Sequence, residues 1–186
     1  MKSIDCPLQS NARVLGDHPA IICGKQVITY KDLNNAVWAI AGYLQEINIQ
    51  PRDRVAVFAP AGLEYIKILY AIWRIGAIAC PMSTHLPEKG LNERLKSINA
   101  SYLVTTSEHL LTSPKVKIKK INLLQTVEQI RGVPPGILSK TPSFTHEQDA
   151  TIVFTSGSQG QPKAAMLSYA NHFLQPQQPR RNWVPW

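Results

Sequence analysis

The sequence predicts an α/β fold in which a mostly parallel sheet is covered by helices. Two observations support this prediction. Short β-branched and apolar runs alternate along the chain with segments whose apolar residues recur at helical spacing, and turn-forming residues separate them. Such alternation is typical of parallel strands that are connected through helices. With 186 residues, the chain is long enough for one large or two small domains.

The first predicted elements are a hairpin and a helix. Extended runs at 20–23 and 26–29 flank Gly24-Lys25 as strands flank a tight turn. Thr29, with Asp32 three positions later, predicts the start of a helix. Its apolar residues fall at helical spacing on one face, and they are Leu33, Val37, Ile40, Ala41, Leu44 and Ile47. This stripe predicts a face that packs into the core.

Strands and helices continue to alternate after that helix. The predicted strands span residues 54–59, 77–80, 102–104 and 150–154, and the predicted helices span 63–75 and 88–99. Residues 116–124 alternate apolar side chains with lysines, which favours an edge strand. Residues 131–149 contain several prolines and predict a long surface connection.

The strongest functional signal is the segment Thr155-Ser156-Gly157-Ser158-Gln159-Gly160-Gln161-Pro162-Lys163. It follows a predicted buried strand, and nucleotide sites commonly lie where such strands end. Gly157 and Gly160 allow backbone N–H groups to approach an anion. The hydroxyls of Thr155, Ser156 and Ser158 can donate hydrogen bonds to phosphate oxygens. Lys163 adds a positive charge, so the segment predicts a loop that binds a polyphosphate.

Two other interpretations of this segment were considered. A Walker A motif requires Gly-Lys followed by Ser or Thr, whereas Pro162 precedes Lys163 here and Ala164 follows it. A kinase-like or GTPase-like phosphate loop is therefore disfavoured. From composition alone, a flexible Ser/Gly connector remains an equal alternative.

The surrounding sequence favours the phosphate loop. Residues 28–33 read Ile-Thr-Tyr-Lys-Asp-Leu, residues 51–57 read Pro-Arg-Asp-Arg-Val-Ala-Val, and residues 76–82 read Gly-Ala-Ile-Ala-Cys-Pro-Met. These elements and the loop resemble, in order, the motifs of the adenylate-forming superfamily of acyl-CoA and aryl-CoA synthetases. The superfamily's loop runs Thr-Ser-Gly-Ser/Thr-Thr-Gly-x-Pro-Lys, from which only Gln159 departs. The continuation Lys163-Ala164-Ala165 with Tyr169 is most similar to the o-succinylbenzoate-CoA ligases of menaquinone synthesis.

The resemblance implies both a fold and a reaction. The chain resembles the first half of the family's large N-terminal domain, so its sheet is expected to be incomplete. In the implied reaction, a small-molecule carboxylic acid attacks the α-phosphate of Mg²⁺-bound ATP, pyrophosphate leaves, and coenzyme A then displaces AMP to form a thioester. The implied ATP contacts are Thr155, Ser156, Gly157, Ser158, Gly160 and Lys163.

The same resemblance implies that much of the enzyme lies outside this chain. After Lys163 the sequence has no adenine or ribose element of the family and no C-terminal lid with the adenylation lysine. No catalytic residue is therefore assigned, and we expect the chain alone to be inactive. The alternative function is a non-catalytic ATP-binding or interaction fragment, or the product of a decayed gene.

The expected domain is a partial AMP-binding N-terminal domain over residues 1–173, with its phosphate-loop region at 150–173. Residues 174–186 form an irregular tail with three prolines and two tryptophans. A shift of reading frame after Phe173 is one interpretation of this tail. An ordinary disordered basic tail is the other.

His172 is the one histidine that the resemblance marks as lying on the acyl-substrate side, although a structural role beside Tyr169 is the more general expectation. The histidines and the three cysteines have no metal-ligand spacing, so no metal site is predicted. The odd cysteine count and the absence of an apolar leader favour a cytoplasmic protein without a membrane span.

The formal charge of +8 raises the question of a nucleic-acid partner. The densest basic patch consists of Lys115, Lys117, Lys119 and Lys120. It has no interleaved aromatic residues and matches no nucleic-acid motif, so a solvated basic edge is the preferred explanation. No feature specifies an oligomeric state.

Overall fold

The computed structural model describes residues 3–4, 6–106, 118–122, 144–155 and 162–173. In these ranges, a six-stranded sheet is accompanied by two small two-stranded sheets. The helices are α1 (Pro7–Val14), α2 (Tyr30–Glu46), α3 (Leu63–Arg74), α4 (Glu88–Ser97) and α5 (Tyr169–Phe173). The strands are β1 (Ser3–Ile4), β2 (Pro19–Cys23), β3 (Gln26–Thr29), β4 (Arg54–Phe58), β5 (Ile78–Pro81), β6 (Tyr102–Thr105), β7 (Lys119–Asn122), β8 (Phe144–Thr145), β9 (Asp149–Thr155) and β10 (Lys163–Ser168).

The large sheet has the strand order β10-β9-β5-β4-β6-β7. Strand β4 pairs in parallel with β5 on one side and with β6 on the other, and β9 and β7 extend the parallel arrangement. Strand β10 pairs with β9 in the antiparallel sense. The predicted α/β class with a mostly parallel sheet is therefore confirmed.

Both faces of the central strand β4 are buried, as expected for a parallel sheet covered by helices. Val55 and Val57 face the core that contains buried residues of α2 and α3. Ala56 and Phe58 point to the opposite face, into a second core with Leu91 of α4. Alternate residues of a strand point to opposite faces, so one short apolar strand contributes to both cores.

Helix α2 begins as the sequence predicts. The Thr29 hydroxyl accepts a 3.1 Å hydrogen bond from the Asp32 backbone N–H and donates a 2.7 Å hydrogen bond to the Asp32 carboxylate. The predicted stripe is buried from Leu33 to Leu44, and Ile47 packs half-buried against it. The hairpin of β2 and β3 precedes the helix as predicted.

Other elements differ from the predictions in extent. Helices α3 and α4 each end one or two residues before the predicted position. Strand β7 lies at the edge of the sheet as expected, but its observed extent is Lys119–Asn122. Helix α1 has no counterpart among the predicted elements, because its only buried residue is Leu8 and one buried apolar position does not make a helical stripe.

The predicted proline-containing connection is described only near its end. Phe144–Thr145 forms strand β8, which pairs with β1, and Asp149 begins β9. The remainder of the connection lies outside the described residues, and so does the tail at 174–186. The predicted domain limits and the two explanations of the tail therefore stay predictions.

Candidate nucleotide-binding site

The hairpin of β9 and β10 brings two predicted phosphate contacts together. Thr155 is the last residue of β9, Lys163 is the first residue of β10, and the two residues are partners in the antiparallel register. The Thr155 hydroxyl donates a 3.4 Å hydrogen bond to the Lys163 backbone carbonyl. The other four predicted contacts, Ser156, Gly157, Ser158 and Gly160, lie outside the described residues. The described structure thus places both ends of the loop side by side.

The position of this hairpin in the sheet suits a nucleotide. Strand β9 runs parallel to β5, and β5 runs parallel to β4, so all three strands end at the same edge. Phe58, Pro81 and Thr155 are their last residues. Ligands of open parallel sheets bind outside the carboxyl ends of the strands. The loop between Thr155 and Lys163 therefore begins and ends at the expected edge.

Lys163 is available to an anion. It is exposed, and no carboxylate in the described part of the chain lies within 4.0 Å of its ammonium group. Ammonium groups serve as point charges for phosphate in many nucleotide sites. The exposed side chain of Thr155 lies at the same end of the hairpin. A hydroxyl donor and a free cation thus flank the loop.

Arg94 of α4 is a neighbour of this hairpin that sequence analysis did not single out. Its guanidinium lies 5.2 Å from the centroid of the Phe154 ring, one residue before Thr155. A cation over an aromatic face is attracted by the ring quadrupole. The contact depends on the packing of α4 against β9, and no local spacing in the sequence signals it.

His172 occupies the opposite end of the hairpin. Strand β10 runs back from Lys163 to Ser168, which pairs with Asp149 at the start of β9, and α5 follows directly. Thr155 lies six positions after Asp149 along β9, which corresponds to about 20 Å of extended strand. The structure therefore brings Thr155 and Lys163 together and holds His172 apart from them. The substrate-side role of His172 stays a prediction.

His172 packs among aromatic residues. Its ring centroid lies 5.0 Å from that of Trp73, and its buried Nε2 atom has no hydrogen-bond partner among the described residues. Burial lowers the pKa of His172, because an apolar surrounding disfavours the charged imidazolium. The neutral imidazole is therefore the form that suits this environment.

Hydrogen bonds fix the start of helix α5 and the start of β9. The Ser168 backbone N–H donates to the Asn171 side-chain oxygen at 2.8 Å, and the Asn171 backbone N–H donates to the Ser168 hydroxyl at 3.4 Å. This reciprocal pair resembles a capping box. The indole N–H of Trp73 donates to the Ala150 carbonyl at 2.9 Å, which fixes α3 against the start of β9. The hairpin is thereby held at the end remote from the loop.

Comparison with known protein families shows which family has this sequence pattern. The AMP-binding enzyme family matches residues 8–178. The chain belongs to this family. The AMP-binding family is the adenylate-forming superfamily that the loop and the three upstream motifs resemble, so the predicted relationship is confirmed.

Individual AMP-binding proteins match most of this chain. A 2-succinylbenzoate–CoA ligase of Bacillus cereus is 28% identical over 166 residues, which is 89% of this chain and 33% of the relative. A 2-succinylbenzoate–CoA ligase of Bacillus mycoides is 26% identical over the same length. The chain therefore spans about a third of the length of the curated relatives it matches.

Two solved structures share the AMP-binding fold described above. The o-succinylbenzoate coenzyme A synthetase MenE of Bacillus subtilis, in complex with AMP, has a TM-score of 0.80 at 20% identity, covering 90% of this chain and 43% of that one. The N-terminal subdomain of Klebsiella oxytoca NpsA, in complex with anthranilyl-AMSN, has a TM-score of 0.78 at 23% identity. The match covers 90% of this chain and 41% of that one. The chain thus has the fold of part of an adenylate-forming N-terminal domain.

Two further observations concern the described ranges only. No helix there is both long and apolar enough to cross a membrane. No group of three or more His, Cys, Asp or Glu side chains there is arranged to hold a metal ion.

Proposed function

We propose that this chain is the phosphate-binding part of an ATP-dependent acid–CoA ligase. The observation that carries the proposal is the pairing of Thr155 with Lys163 at the carboxyl edge of the sheet. Membership of the AMP-binding family supports it. The loop between these residues would hold the β- and γ-phosphates of ATP through Ser156, Gly157, Ser158 and Gly160.

The proposed chemistry has two steps. A carboxylate oxygen of the acid attacks the α-phosphorus, the bond to the bridging oxygen breaks, and pyrophosphate leaves. The thiolate of coenzyme A then attacks the acyl carbon, and AMP leaves with the electrons of the broken C–O bond. Electrostatics and positioning dominate at phosphoryl centres, so the role of Lys163 and the loop donors is to stabilise charge on the departing pyrophosphate.

Magnesium would enter this site with the nucleotide. Mg²⁺ keeps several waters and is commonly bound through substrate phosphates and one or two protein groups. Among the described residues at the ends of the loop, Thr155 offers its hydroxyl oxygen as a metal ligand. One such protein ligand suits an ion that is held mainly by phosphate oxygens. The ion would neutralise phosphate charge together with Lys163.

For the acid, o-succinylbenzoate is the proposed substrate of the complete enzyme. The support is the name of the matched Bacillus relatives and the Lys163-Ala164-Ala165 continuation with Tyr169. The same proposal includes coenzyme A as the second substrate, a role in menaquinone synthesis and a cytoplasmic location.

A second candidate function is a non-catalytic ATP-binding fragment. It is favoured by the described hairpin, whose predicted phosphate contacts Thr155 and Lys163 can hold a nucleotide without taking part in bond formation. We expect the chain alone to bind nucleotide and to form no acyl adenylate.

The first experiment measures Mg-ATP binding to the 186-residue chain by isothermal titration calorimetry. We expect Lys163→Ala to weaken binding about 10- to 100-fold, because it removes one charge-assisted hydrogen bond. Lys25→Ala is the matched control, since Lys25 is an exposed lysine in the β2–β3 turn. Equal affinities of Lys163→Ala and the parent chain would reject the phosphate-binding role.

A second measurement separates the two candidate functions. ATP–pyrophosphate exchange is followed with o-succinylbenzoate, with the o-succinylbenzoate coenzyme A synthetase MenE of Bacillus subtilis as the positive control. Binding without exchange supports the non-catalytic fragment. Exchange that Lys163→Ala abolishes would instead show that this chain contains a complete adenylation site.

A further inference from the structure

A polar cavity lies at the amino end of the large sheet, at the opposite end of β9 from Thr155. Arg54, Ile78 and Asp149 line it, and they are the first residues of the adjacent parallel strands β4, β5 and β9. Its volume is about 510 Å³. That volume falls within the usual range for small-molecule sites, roughly 300–1,000 Å³.

The polar lining of the cavity contains charges of both signs. It is formed by Arg52, Arg54, Thr145, Glu147, Gln148 and Asp149. The two arginines come from the start of β4, and the two carboxylates come from the segment that leads into β9. In the described structure, no arginine of this group lies within 4.0 Å of either carboxylate. Opposite charges therefore face a common space without neutralising each other directly.

The fold holds the side chain of Arg54 and the backbone of Arg52. The Arg54 guanidinium donates a 2.8 Å hydrogen bond to the Ile98 carbonyl. The Arg52 backbone N–H donates to the Gly76 carbonyl at 2.8 Å. Arg52 has a φ of 72°, a left-handed conformation that favours glycine. This chain therefore carries a cationic side chain where the backbone conformation favours glycine.

We propose that this cavity binds a small zwitterion that bears a carboxylate and an ammonium group, such as a short peptide. The carboxylate faces Arg52 and Arg54, which suit it because guanidinium groups match carboxylates in charge and geometry. The ammonium group faces Glu147 and Asp149. Gln148 and Thr145 supply neutral hydrogen-bonding groups between the two ends.

Single-charge ligands fit this lining less well. An anion without an ammonium group gains the arginines but lies near two carboxylates, and like charges repel. A cation without a carboxylate gains the two carboxylates but lies near the two arginines, which repel it. A ligand with both charges satisfies both sides, so charge selectivity is the property that distinguishes this site from an ordinary anion patch.

The test uses three probes of similar size on the 186-residue chain. Glycylglycine carries both charges, N-acetylglycylglycine only the negative one, and glycylglycinamide only the positive one. Binding is followed by NMR through the backbone amides of Arg52, Arg54, Thr145 and Gln148. We expect saturable shifts at these amides with glycylglycine, and affinities about tenfold lower for each single-charge probe, because one charge-assisted contact is lost.

Two variants separate binding from folding. Arg52→Gly removes the guanidinium and relieves the left-handed backbone, so the variant is expected to fold at least as stably as the parent while it loses about tenfold in affinity for glycylglycine. Asn48→Gly is the matched control. Asn48 also has a left-handed backbone, with a φ of 73°, but it does not line the cavity, so its affinity should be unchanged.

Glu147→Gln tests the other side of the cavity. The substitution should weaken the binding of glycylglycine. It should leave the affinity for N-acetylglycylglycine unchanged or higher, because the removed carboxylate repels that probe. Three outcomes overturn the proposal. They are the absence of saturable shifts at the cavity amides, equal affinities for the three probes, and unchanged glycylglycine binding in Arg52→Gly.

Discussion

Trp73 and Tyr169 join α3 to the helix that follows the candidate nucleotide-binding hairpin. The Tyr169 hydroxyl donates a 2.9 Å hydrogen bond to the backbone carbonyl of Trp73. Tyr169 is fully buried, and its ring stacks on Phe144 with centroids 4.4 Å apart. Residues 96 positions apart in sequence thus fix the end of the hairpin remote from its loop.

Removal of that hydroxyl should destabilise the protein. Tyr169→Phe keeps the ring contacts but leaves the Trp73 carbonyl without this donor, which should lower the free energy of unfolding by about 1–3 kcal/mol. Urea denaturation followed by circular dichroism measures the change. Tyr43→Phe, on the half-buried side of α2, is the control and should change stability by less than about 0.5 kcal/mol. Equal effects of the two variants would contradict a specific role for the Tyr169 hydrogen bond.

Arg74 is a buried cation whose replacement should not weaken the fold. It is 1% exposed, and its Nε and Nη1 atoms have no hydrogen-bond partner in the part of the chain that the structure describes, although Nη2 donates to the Cys6 sulfur at 3.7 Å. Burial lowers the pKa of Arg74, which reflects the cost of a desolvated charge. Its guanidinium also lies 4.7 Å from the Trp38 ring centroid.

We expect Arg74→Met to leave the free energy of unfolding unchanged or to raise it, because an apolar side chain of similar length replaces unsatisfied donors. Thermal and urea unfolding provide the measurement, with the exposed Arg13→Met as the control. A loss of more than about 2 kcal/mol would mean that the contacts to Trp38 and Cys6 outweigh the desolvation of the guanidinium.

His172 should make stability depend on pH in the acidic range. Its pKa is lowered in the folded state by burial, so below about pH 6.5 the unfolded chain binds the proton more readily. The stability contributed by the neutral imidazole is therefore complete above that pH. It decreases as the pH falls from about 6.5 toward the lowered folded-state pKa.

Urea midpoints at pH 8 and pH 5.5 measure this dependence. The decrease in urea midpoint from pH 8 to pH 5.5 should be smaller in His172→Gln than in the parent chain. His85→Gln, which replaces an exposed histidine in the loop before α4, should retain the parent's decrease. An identical decrease in all three proteins would assign the pH dependence to other groups.

The cysteines should differ in reactivity. Burial raises the pKa of Cys80 to about 12, whereas Cys23 is exposed in strand β2. The thiolate is the reactive form, so iodoacetamide at pH 8 should modify Cys23 in the folded protein and Cys80 only after unfolding. Peptide mass spectrometry at timed intervals gives the order. Rapid modification of Cys80 under native conditions would show that the second core opens readily.

Local interactions made some of these features predictable. The Thr29–Asp32 cap and the apolar stripe of α2 depend on residues three to four positions apart, so their pattern is visible in the sequence. The predicted phosphate loop is likewise a contiguous segment, and its prediction depends on the hydroxyls, glycines and lysine within that segment. The same segment carried the family resemblance that the comparison confirmed.

Other features depend on contacts that no local pattern records. Strand β8 contains only two residues and exists through its pairing with β1, far away in the sequence. The burial of Arg74 opposes the usual preference of arginine for the surface and depends on Trp38 and Cys6. The separation of His172 from Lys163 follows from the antiparallel direction of β10.

The sequence alone determined the α/β class and the resemblance to the AMP-binding family, because periodicity and short motifs are properties of neighbouring residues; the phosphate loop among these motifs stays a prediction. Tertiary structure decided the strand order, the pairing of Thr155 with Lys163, the remote position of His172 and the charged cavity at Arg52 and Glu147. These features arise when strands distant in sequence pair and align their ends, and that alignment is set by long-range packing.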